Sequence, residues 1–174
     1  MMKVRVLQDL EAISREAATI FTAISRNCIA SKGSLVIALS GGSTPRRFYT
    51  LLSSDSYINK IDWGCVHIFW ADERCVPKEH EDSNFRFAYE SFISKVPLPT
   101  NNIHRIKSEK KPEVAAMEYE NEIRDFFGKT ELPVFDLIIL GVGEDGHTAS
   151  LFSDSIALKE TNRLAVSVST DKGN

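Results

Sequence analysis

Two kinds of apolar pattern alternate along the chain: apolar positions that recur every three or four residues, and short, mostly apolar runs. Helical spacing extends over residues 8–31 and predicts a long amphipathic helix. The short apolar runs at residues 35–39, 66–71 and 135–140, of which the last two contain one polar residue each, predict three buried strands. The chain is therefore expected to alternate between helices and strands.

Proline, glycine and serine mark the ends of the other predicted elements. Pro45 fits the first turn of a short helix with the sequence RRFYTLL, and another helix is predicted from Ser83 to a point before Pro97. A fourth helix is predicted over residues 112–127, between a proline and a glycine. The remaining segments are predicted as a polar connection (53–62), a long loop (72–84), a brief strand (103–106) and a last strand (164–169).

This order of elements predicts the fold class. Apolar strands that alternate with helices form a mostly parallel sheet covered on both faces, so we expect a three-layer, Rossmann-like α/β domain over residues 1–174. Ligands of such sheets bind beyond the carboxyl ends of the strands. The stretches SGGSTP, ADER and GVGEDGH each directly follow a predicted strand, so all three are expected at one edge of the sheet.

Composition narrows the choice of ligand. The 174 residues include 21 basic and 24 acidic side chains, a net charge of −3, which gives no broad positive field for nucleic acid or an anionic membrane. Neither a signal peptide nor a membrane-spanning run is predicted. The three cysteines lack metal-type CxxC spacing and no HExxH pattern occurs, so reduced thiols, a cytoplasmic location and no metal site are predicted.

The stretch SGGSTP, which begins at Ser40, has the features of an anion-binding turn. Gly41 and Gly42 allow a sharp bend with free backbone N–H groups, and Ser43 and Thr44 add hydroxyl groups. The start of the following helix adds partial positive charge, which suits a phosphate. The alternative is an ordinary strand-to-helix turn capped by serine or threonine.

The stretch ADER places consecutive charges directly after a predicted core strand. Arg74 can bind a phosphate or carboxylate through paired N–H donors, and Asp72 can orient a histidine or hold a substrate hydroxyl. The alternative is a surface acid–base pair with little energetic effect.

The stretch GVGEDGHTAS contains a GxGxxG pattern formed by Gly141, Gly143 and Gly146. This pattern is a weak indication of dinucleotide binding, because a sustained helix should follow the third glycine and HTASLFSDS predicts none. His147 favours another interpretation, since a neutral imidazole beside a glycine turn can act as a general base near neutral pH.

The other histidines are assigned different surroundings. His67 lies inside a predicted strand and is expected in the core, whereas His80 and His104 lie in polar loops without an evident partner. From the residues alone, the protein is predicted to be an α/β enzyme with an anion-binding turn, an Asp/Arg pair and a histidine base. Its substrate is expected to be small and phosphorylated.

Three longer segments carry a family resemblance: ALSGGSTP, FWADERCVP with the downstream DSNF, and DLIILGVGEDGHTASLF. Together they resemble the 6-phosphogluconolactonase family. The related glucosamine-6-phosphate deaminases have Asn before Gly-His and Asn-Glu-Pro after it. Here Asp145 precedes Gly-His and SLF follows, which favours the lactonases.

The resemblance implies hydrolysis of 6-phosphogluconolactone to 6-phosphogluconate without a metal or organic cofactor. His147 matches the family's general base, Asp72 lies in the motif that arranges substrate and base, and Arg74 matches a phosphate or oxyanion contact. The resemblance also implies a set of substrate- and phosphate-binding residues: Ser40, Gly41, Gly42, Ser43, Thr44, Gly143, Asp145, Gly146 and, as the phosphate-binding lysine, Lys172.

The family pattern continues with further strands and a closing helix after the run at 164–169, so this chain is expected to lack the family's C-terminal part. If that part is truly absent, weak stability, dimerisation through an open sheet edge or lost activity is expected. Three other functions stay open: a deaminase or isomerase of the same family, a truncated sugar-phosphate-binding module without catalysis, and a dinucleotide-binding oxidoreductase.

Overall fold

A computed structural model describes residues 3–128 and 132–169 of the chain. Within these ranges, the four α-helices and three β-strands are α1 (Leu10–Lys32), β1 (Leu35–Leu39), α2 (Arg46–Leu52), β2 (Val66–Trp70), α3 (Asn84–Ser91), α4 (Pro112–Phe127) and β3 (Leu137–Ile138). Short 3₁₀-helices lie at Ile58–Lys60, Trp63–Cys65, Ile93–Lys95, Thr100–Asn102 and Ile156–Lys159.

Helix α1 begins and ends where its local sequence provides partners for free backbone groups. The Asp9 carboxylate accepts a 2.8 Å hydrogen bond from the backbone N–H of Ala12 at the first turn. Gly33 adopts a left-handed conformation (φ 82°), and its N–H donates to the carbonyl of Ile29. The predicted helix is confirmed, with its start shifted to Leu10 because Asp9 is the cap.

The sheet has the strand order β2-β1-β3, and both pairings are parallel. Along its whole length, β1 pairs with β2 from Leu35 opposite Val66 to Leu39 opposite Trp70. Because β1 is central, side chains on both of its faces are buried. The predicted strands 35–39 and 66–71 are therefore confirmed, the second to within one residue.

Alternate residues of β1 pack into two separate apolar clusters. Leu35, Ile37 and Leu39 face the larger cluster, and the helical residues there include Phe21 of α1 and Tyr49 of α2. The opposite face forms the second cluster, which consists of Val36, Ala38, Phe69, Tyr119 and Ile123. The last two belong to α4, so helices cover both faces of the sheet and the predicted three-layer α/β class is confirmed.

Strand β3 is shorter than the predicted run at 135–140. Its pairing with β1 extends slightly beyond the strand, because the N–H of Asp136 donates to Val36 O and that of Ile139 donates to Ala38 O, both at 2.9 Å. The Asp136 carboxylate also accepts from the N–H of Val36 at 2.8 Å and pairs with Lys32 at 2.8 Å. These contacts tie the end of α1 and the start of β1 to β3.

Two other strand predictions are wrong for the described residues. Ile103 forms only an isolated bridge with Ile68, so residues 103–106 are not a strand. In the described part of the chain, residues 164–169 are not a strand of the sheet. Leu164 and Ala165 instead pack their side chains against the second apolar cluster.

None of the helices in the described ranges is long and apolar enough to cross a membrane. Cys28, Cys65 and Cys75 are all free thiols.

Candidate active site

A cleft of about 620 Å³ lies beside the carboxyl ends of the strands. The chemically active side chains of Asp72, Arg74, His147 and Ser150 contribute to its lining. Part of its apolar wall comes from the sheet and from α4, including Tyr119. Two of the three sequence motifs therefore meet in one cleft, as the parallel sheet predicts.

Asp72 is held by neutral donors from two other segments. Its Oδ2 accepts a 2.8 Å hydrogen bond from the hydroxyl of Ser150. The carboxamide of Asn84 donates through Nδ2 to the carbonyl of Asp72 at 3.0 Å and lies 3.4 Å from its Oδ1. Both donors fix the direction of the carboxylate without neutralising its charge.

Tyr119 fixes the end of β2, two residues before Asp72. Its hydroxyl accepts from the backbone N–H of Trp70 and donates to the carbonyl of Trp70, both at 2.8 Å. Burial raises the pKa of the Tyr119 hydroxyl, so it stays protonated and can make both bonds at once.

Glu73 does not form the surface acid–base pair with Arg74 that was the alternative for the ADER stretch. Its carboxylate accepts the backbone N–H groups of Arg74 (2.8 Å), Asn84 (2.7 Å) and Phe85 (2.8 Å) and the hydroxyl of Ser83 (3.2 Å). Burial raises the pKa of Glu73, and these hydrogen bonds oppose the rise. Glu73 therefore anchors the start of α3.

The guanidinium group of Arg74 has a different environment. Arg74 is exposed and lines the cleft, and it forms no salt bridge within residues 3–128 and 132–169. Its charge is therefore available to an anion in the cleft.

His147 is oriented by its neighbour in the GVGEDGH stretch. Its Nδ1 forms a hydrogen bond with the carboxylate of Asp145, and its ring lies 4.6 Å from that of Phe152, centroid to centroid. Hydrogen bonds from His147 lower the pKa of Asp145, so this carboxylate is the acceptor and Nδ1 carries the proton. Nε2 is then the ring nitrogen that can accept a proton.

The loop of residues 141–151, which we call the histidine loop, is closed by its own backbone. The N–H of Gly143 donates to the carbonyl of His147 at 2.8 Å, and a β-carbon added at Gly143 would overlap the imidazole ring. Gly146 (φ 83°) and Ala149 (φ 50°) are both in the left-handed region. Dinucleotide binding at a GxGxxG pattern requires a helix directly after the third glycine. In the described residues no helix begins there, so the structure does not support the dinucleotide interpretation.

Residues 40–45, which we call the glycine turn, follow β1. The backbone N–H groups of residues 41–44 donate to no other group in the described part of the chain. Gly42 has a positive φ of 100°, and the Ser40 carbonyl accepts a 2.8 Å bond from the Tyr49 hydroxyl. Ser40 Oγ is buried, and no partner for it occurs among the described residues. The turn has free donors, but it does not line the cleft.

Several site residues were not identified from the sequence as such: Glu73 as an anchor, Asn84, Tyr119 and Ser150. DSNF, which contains Asn84, signalled family resemblance but no role, and Tyr119 follows the periodicity of an ordinary buried helix face.

Lys172 lies outside the described residues. In the ranges that are described, no group of three or more His, Cys, Asp or Glu side chains is arranged to hold a metal ion.

The fold has three layers, and its cleft, lined in part by charged side chains, lies beside the carboxyl ends of parallel strands. This arrangement is typical of α/β proteins that bind small ligands at that position. Comparison with known proteins gives the particular family. Residues 8–174 match the family described as glucosamine-6-phosphate isomerases/6-phosphogluconolactonase, and the chain belongs to this family.

Individual relatives agree with this assignment. The chain is 40% identical over 158 residues to 6-phosphogluconolactonase 3, chloroplastic, of Arabidopsis thaliana, covering 86% of this chain and 48% of that protein. It is 38% identical over 175 residues to a 6-phosphogluconolactonase of a Nostoc species, covering 98% and 70%. The crystal structure of 6-phosphogluconolactonase from Thermotoga maritima superimposes with a TM-score of 0.77 at 31% identity, covering 92% and 67%. The chain thus spans about half the length of the Arabidopsis relative.

Proposed function

We propose that the protein hydrolyses the ester bond of 6-phosphogluconolactone and releases 6-phosphogluconate, in the cytoplasm and without a cofactor. One observation carries the proposal: His147 and Asp72 line the same cleft, and the Asp145 carboxylate on Nδ1 leaves Nε2 of His147 as the basic nitrogen. The names of the relatives supply the substrate.

The proposed reaction uses water as the nucleophile. Nε2 of His147 takes a proton from a water molecule as the water oxygen bonds to the lactone carbonyl carbon. The C=O π electrons move onto the carbonyl oxygen, so the carbon becomes tetrahedral, and the oxygen of this intermediate carries the negative charge until collapse re-forms the C=O bond. When this intermediate collapses, the ring C–O bond breaks and the departing oxygen takes the proton back from His147. The products are a carboxylic acid and a hydroxyl group.

Charged and polar groups have separate parts in this scheme. Arg74 faces the negative charge, either on the carbonyl oxygen or on the phosphate, and Asp72 orients the substrate or the base. The free N–H groups of the glycine turn are proposed to bind the phosphate, together with Ser43 and Thr44. Gly143, Gly146 and Asp145 shape the loop that presents His147.

A second candidate is a sugar-phosphate-binding module without catalysis. It is favoured by the separation of the glycine turn from the cleft, because residues 40–44 do not contribute to the cleft lining. A molecule that bound the phosphate at the turn alone would keep affinity for sugar phosphates and lack turnover.

The deciding experiment measures acid release from freshly prepared 6-phosphogluconolactone at neutral pH. The lactone also hydrolyses spontaneously, so the observable is the rate above the protein-free background. Acceleration that disappears in His147→Ala supports the hydrolase. No acceleration, with binding of 6-phosphogluconate by calorimetry, supports the binding module, and ammonia release from glucosamine-6-phosphate would support the deaminase instead.

A further inference from the structure

Asn84 is the first residue of α3, and its side chain is buried, with 7% of the residue exposed. Its position is fixed twice. The backbone N–H donates to Glu73 at 2.7 Å, and the side-chain Nδ2 donates to the carbonyl of Asp72 at 3.0 Å. A buried residue whose backbone and carboxamide are each held by one of these bonds has little freedom to rotate or shift.

The oxygen side of the same carboxamide lies against the glycine turn. A β-carbon added at Gly41 would lie 2.5 Å from Cγ of Asn84 and would overlap Oδ1. The φ angle of Gly41 is not in the left-handed region, unlike that of Gly42. Gly41 is therefore required by the close approach of Asn84 rather than by backbone conformation.

One side chain thus contacts two sequence motifs that are far apart along the chain. Nδ2 faces Asp72, and Oδ1 faces Gly41. The Glu73 carboxylate accepts hydrogen bonds from the backbone N–H groups of Asn84 and Phe85, which fixes the backbone of Asn84. A shift of the glycine turn toward Asn84 is therefore expected to move its carboxamide, which bonds to the Asp72 carbonyl and lies 3.4 Å from the carboxylate.

We propose that Asn84 is a positioning residue that fixes the Asp72 carboxylate relative to the anion-binding glycine turn. Asn84 does not itself contact the reacting atoms. Its effect on turnover rests on the proposed lactonase function, whereas the mechanical link between Gly41, Asn84 and Asp72 does not.

The mechanical link is tested by thermal unfolding of the chain. Gly41→Ala is expected to lower the melting temperature, because the new methyl group collides with the carboxamide. Adding Asn84→Ala removes the obstacle, so the double variant should melt at a higher temperature than Gly41→Ala alone. Gly141→Ala is the matched control, since no atom lies within 4 Å of its added β-carbon. Additive losses for positions 41 and 84 would overturn the proposal.

A second cycle tests the link to the carboxylate. Asn84→Ala and Asp72→Ala should be non-additive in melting temperature, because Asp72→Ala removes the Oδ1 that lies 3.4 Å from Nδ2 of Asn84, although the main-chain carbonyl stays. Asn102→Ala is the control for losing an amide, since Asn102 donates to the Gly64 carbonyl at 3.0 Å and makes no such contact with Asp72. Equal coupling of Asp72 to Asn84 and to Asn102 would also overturn the proposal.

Turnover distinguishes positioning from a purely structural role, because a purely structural role would leave kcat of the folded variant unchanged. Asn84→Asp keeps the size of the side chain and removes the donor, so kcat for the lactone should fall by about tenfold or more with a much smaller change in KM. An unchanged kcat in fully folded Asn84→Asp contradicts positioning. If the unmodified chain shows no turnover, the proposed function fails, and the two stability cycles still decide the role of Asn84.

Discussion

The hydroxyl of Ser150 donates a 2.8 Å hydrogen bond to Oδ2 of Asp72, although the two residues are 78 positions apart in the sequence. The bond joins the end of β2 to the histidine loop that follows β3. It therefore sets the Asp72 carboxylate relative to the loop that carries His147, while Asn84 occupies the other side of Asp72.

Ser150→Ala removes this bond and is expected to lower kcat. A hydrogen bond to a charged group contributes about 1.5–3 kcal/mol, so the loss should be about 10- to 100-fold if the full contribution acts in the transition state. Ser153→Ala is the control in the same region, because Ser153 is exposed and its hydroxyl donates only to the adjacent Asp154. Steady-state lactone hydrolysis measures both, and equal effects would show that Ser150 has no special part.

His147→Ala is expected to abolish base catalysis while the substrate still binds. Loss of a general base lowers the rate by about 10²- to 10⁴-fold. Calorimetry with 6-phosphogluconate should give nearly unchanged affinity, because the proposed phosphate contacts are at the glycine turn. His80→Ala is the matched control, since His80 is exposed and its described partner is Asp82. Near-normal turnover in His147→Ala would remove His147 from this role.

Gly143→Ala tests whether the ring position of His147 matters. The added methyl group would overlap the imidazole and lie 2.9 Å from Oδ1 of Asp145, so the pair must rearrange and turnover should fall strongly. Gly141→Ala lies two residues earlier and meets no atom within 4 Å, so its turnover should stay close to that of the unmodified protein. Comparable losses in the two variants would point to general loop damage.

Tyr119→Phe leaves the N–H and the carbonyl of Trp70 without their side-chain partner. Buried polar groups that lose a hydrogen bond cost about 1–3 kcal/mol, so the free energy of unfolding should fall by about that amount. Urea denaturation measures it, with Tyr89→Phe as control because Tyr89 is 44% exposed. If both variants lose the same stability, the Tyr119 hydroxyl has no net structural effect.

The unfolding free energy is also expected to depend on His67. Its ring lies 3.2 Å from that of His104, nitrogen to nitrogen, and His104 in turn bonds to Glu122 at 2.9 Å. Burial, and then the neighbouring His104, lower the pKa of His67 below its ordinary 6.5. The unfolded chain therefore takes up this proton first as pH falls, and the folded state loses stability below about pH 6.5.

Urea unfolding at about pH 7.5 and about pH 5.5 checks this dependence. His67→Gln should lose less stability between these two conditions than the unmodified protein, because position 67 no longer titrates. His80→Gln should retain the full dependence. A slope that is identical in all three proteins would assign the pH effect to other groups.

The sequence was sufficient to predict those features of the fold that depend on local pattern. The periodicity of α1, the runs of β1 and β2 and the proline and glycine bounding α4 predict those elements closely. The length of β3 and the missing strand at 164–169 could not be predicted in this way, because strand formation also requires an adjacent backbone. An apolar run alone does not show whether one is available.

The site was predictable in its residue types but not in its contacts. Asp72, Arg74 and His147 line one cleft, and this was predictable because each follows a strand of a parallel sheet. His104 was expected in a loop without a partner, but it is buried and bonds to Glu122, because the chain folds it over β2. Such pairings depend on tertiary distances that no local pattern encodes.

The four donors around Glu73 have a consequence for the approach of an anion. Glu73, the acid next to Arg74, is already saturated by amide and hydroxyl groups. Within residues 3–128 and 132–169, the guanidinium therefore has no salt bridge to break before it meets a ligand. Recognition at this position should therefore be fast and sensitive to ionic strength, like an encounter between two unpaired ions.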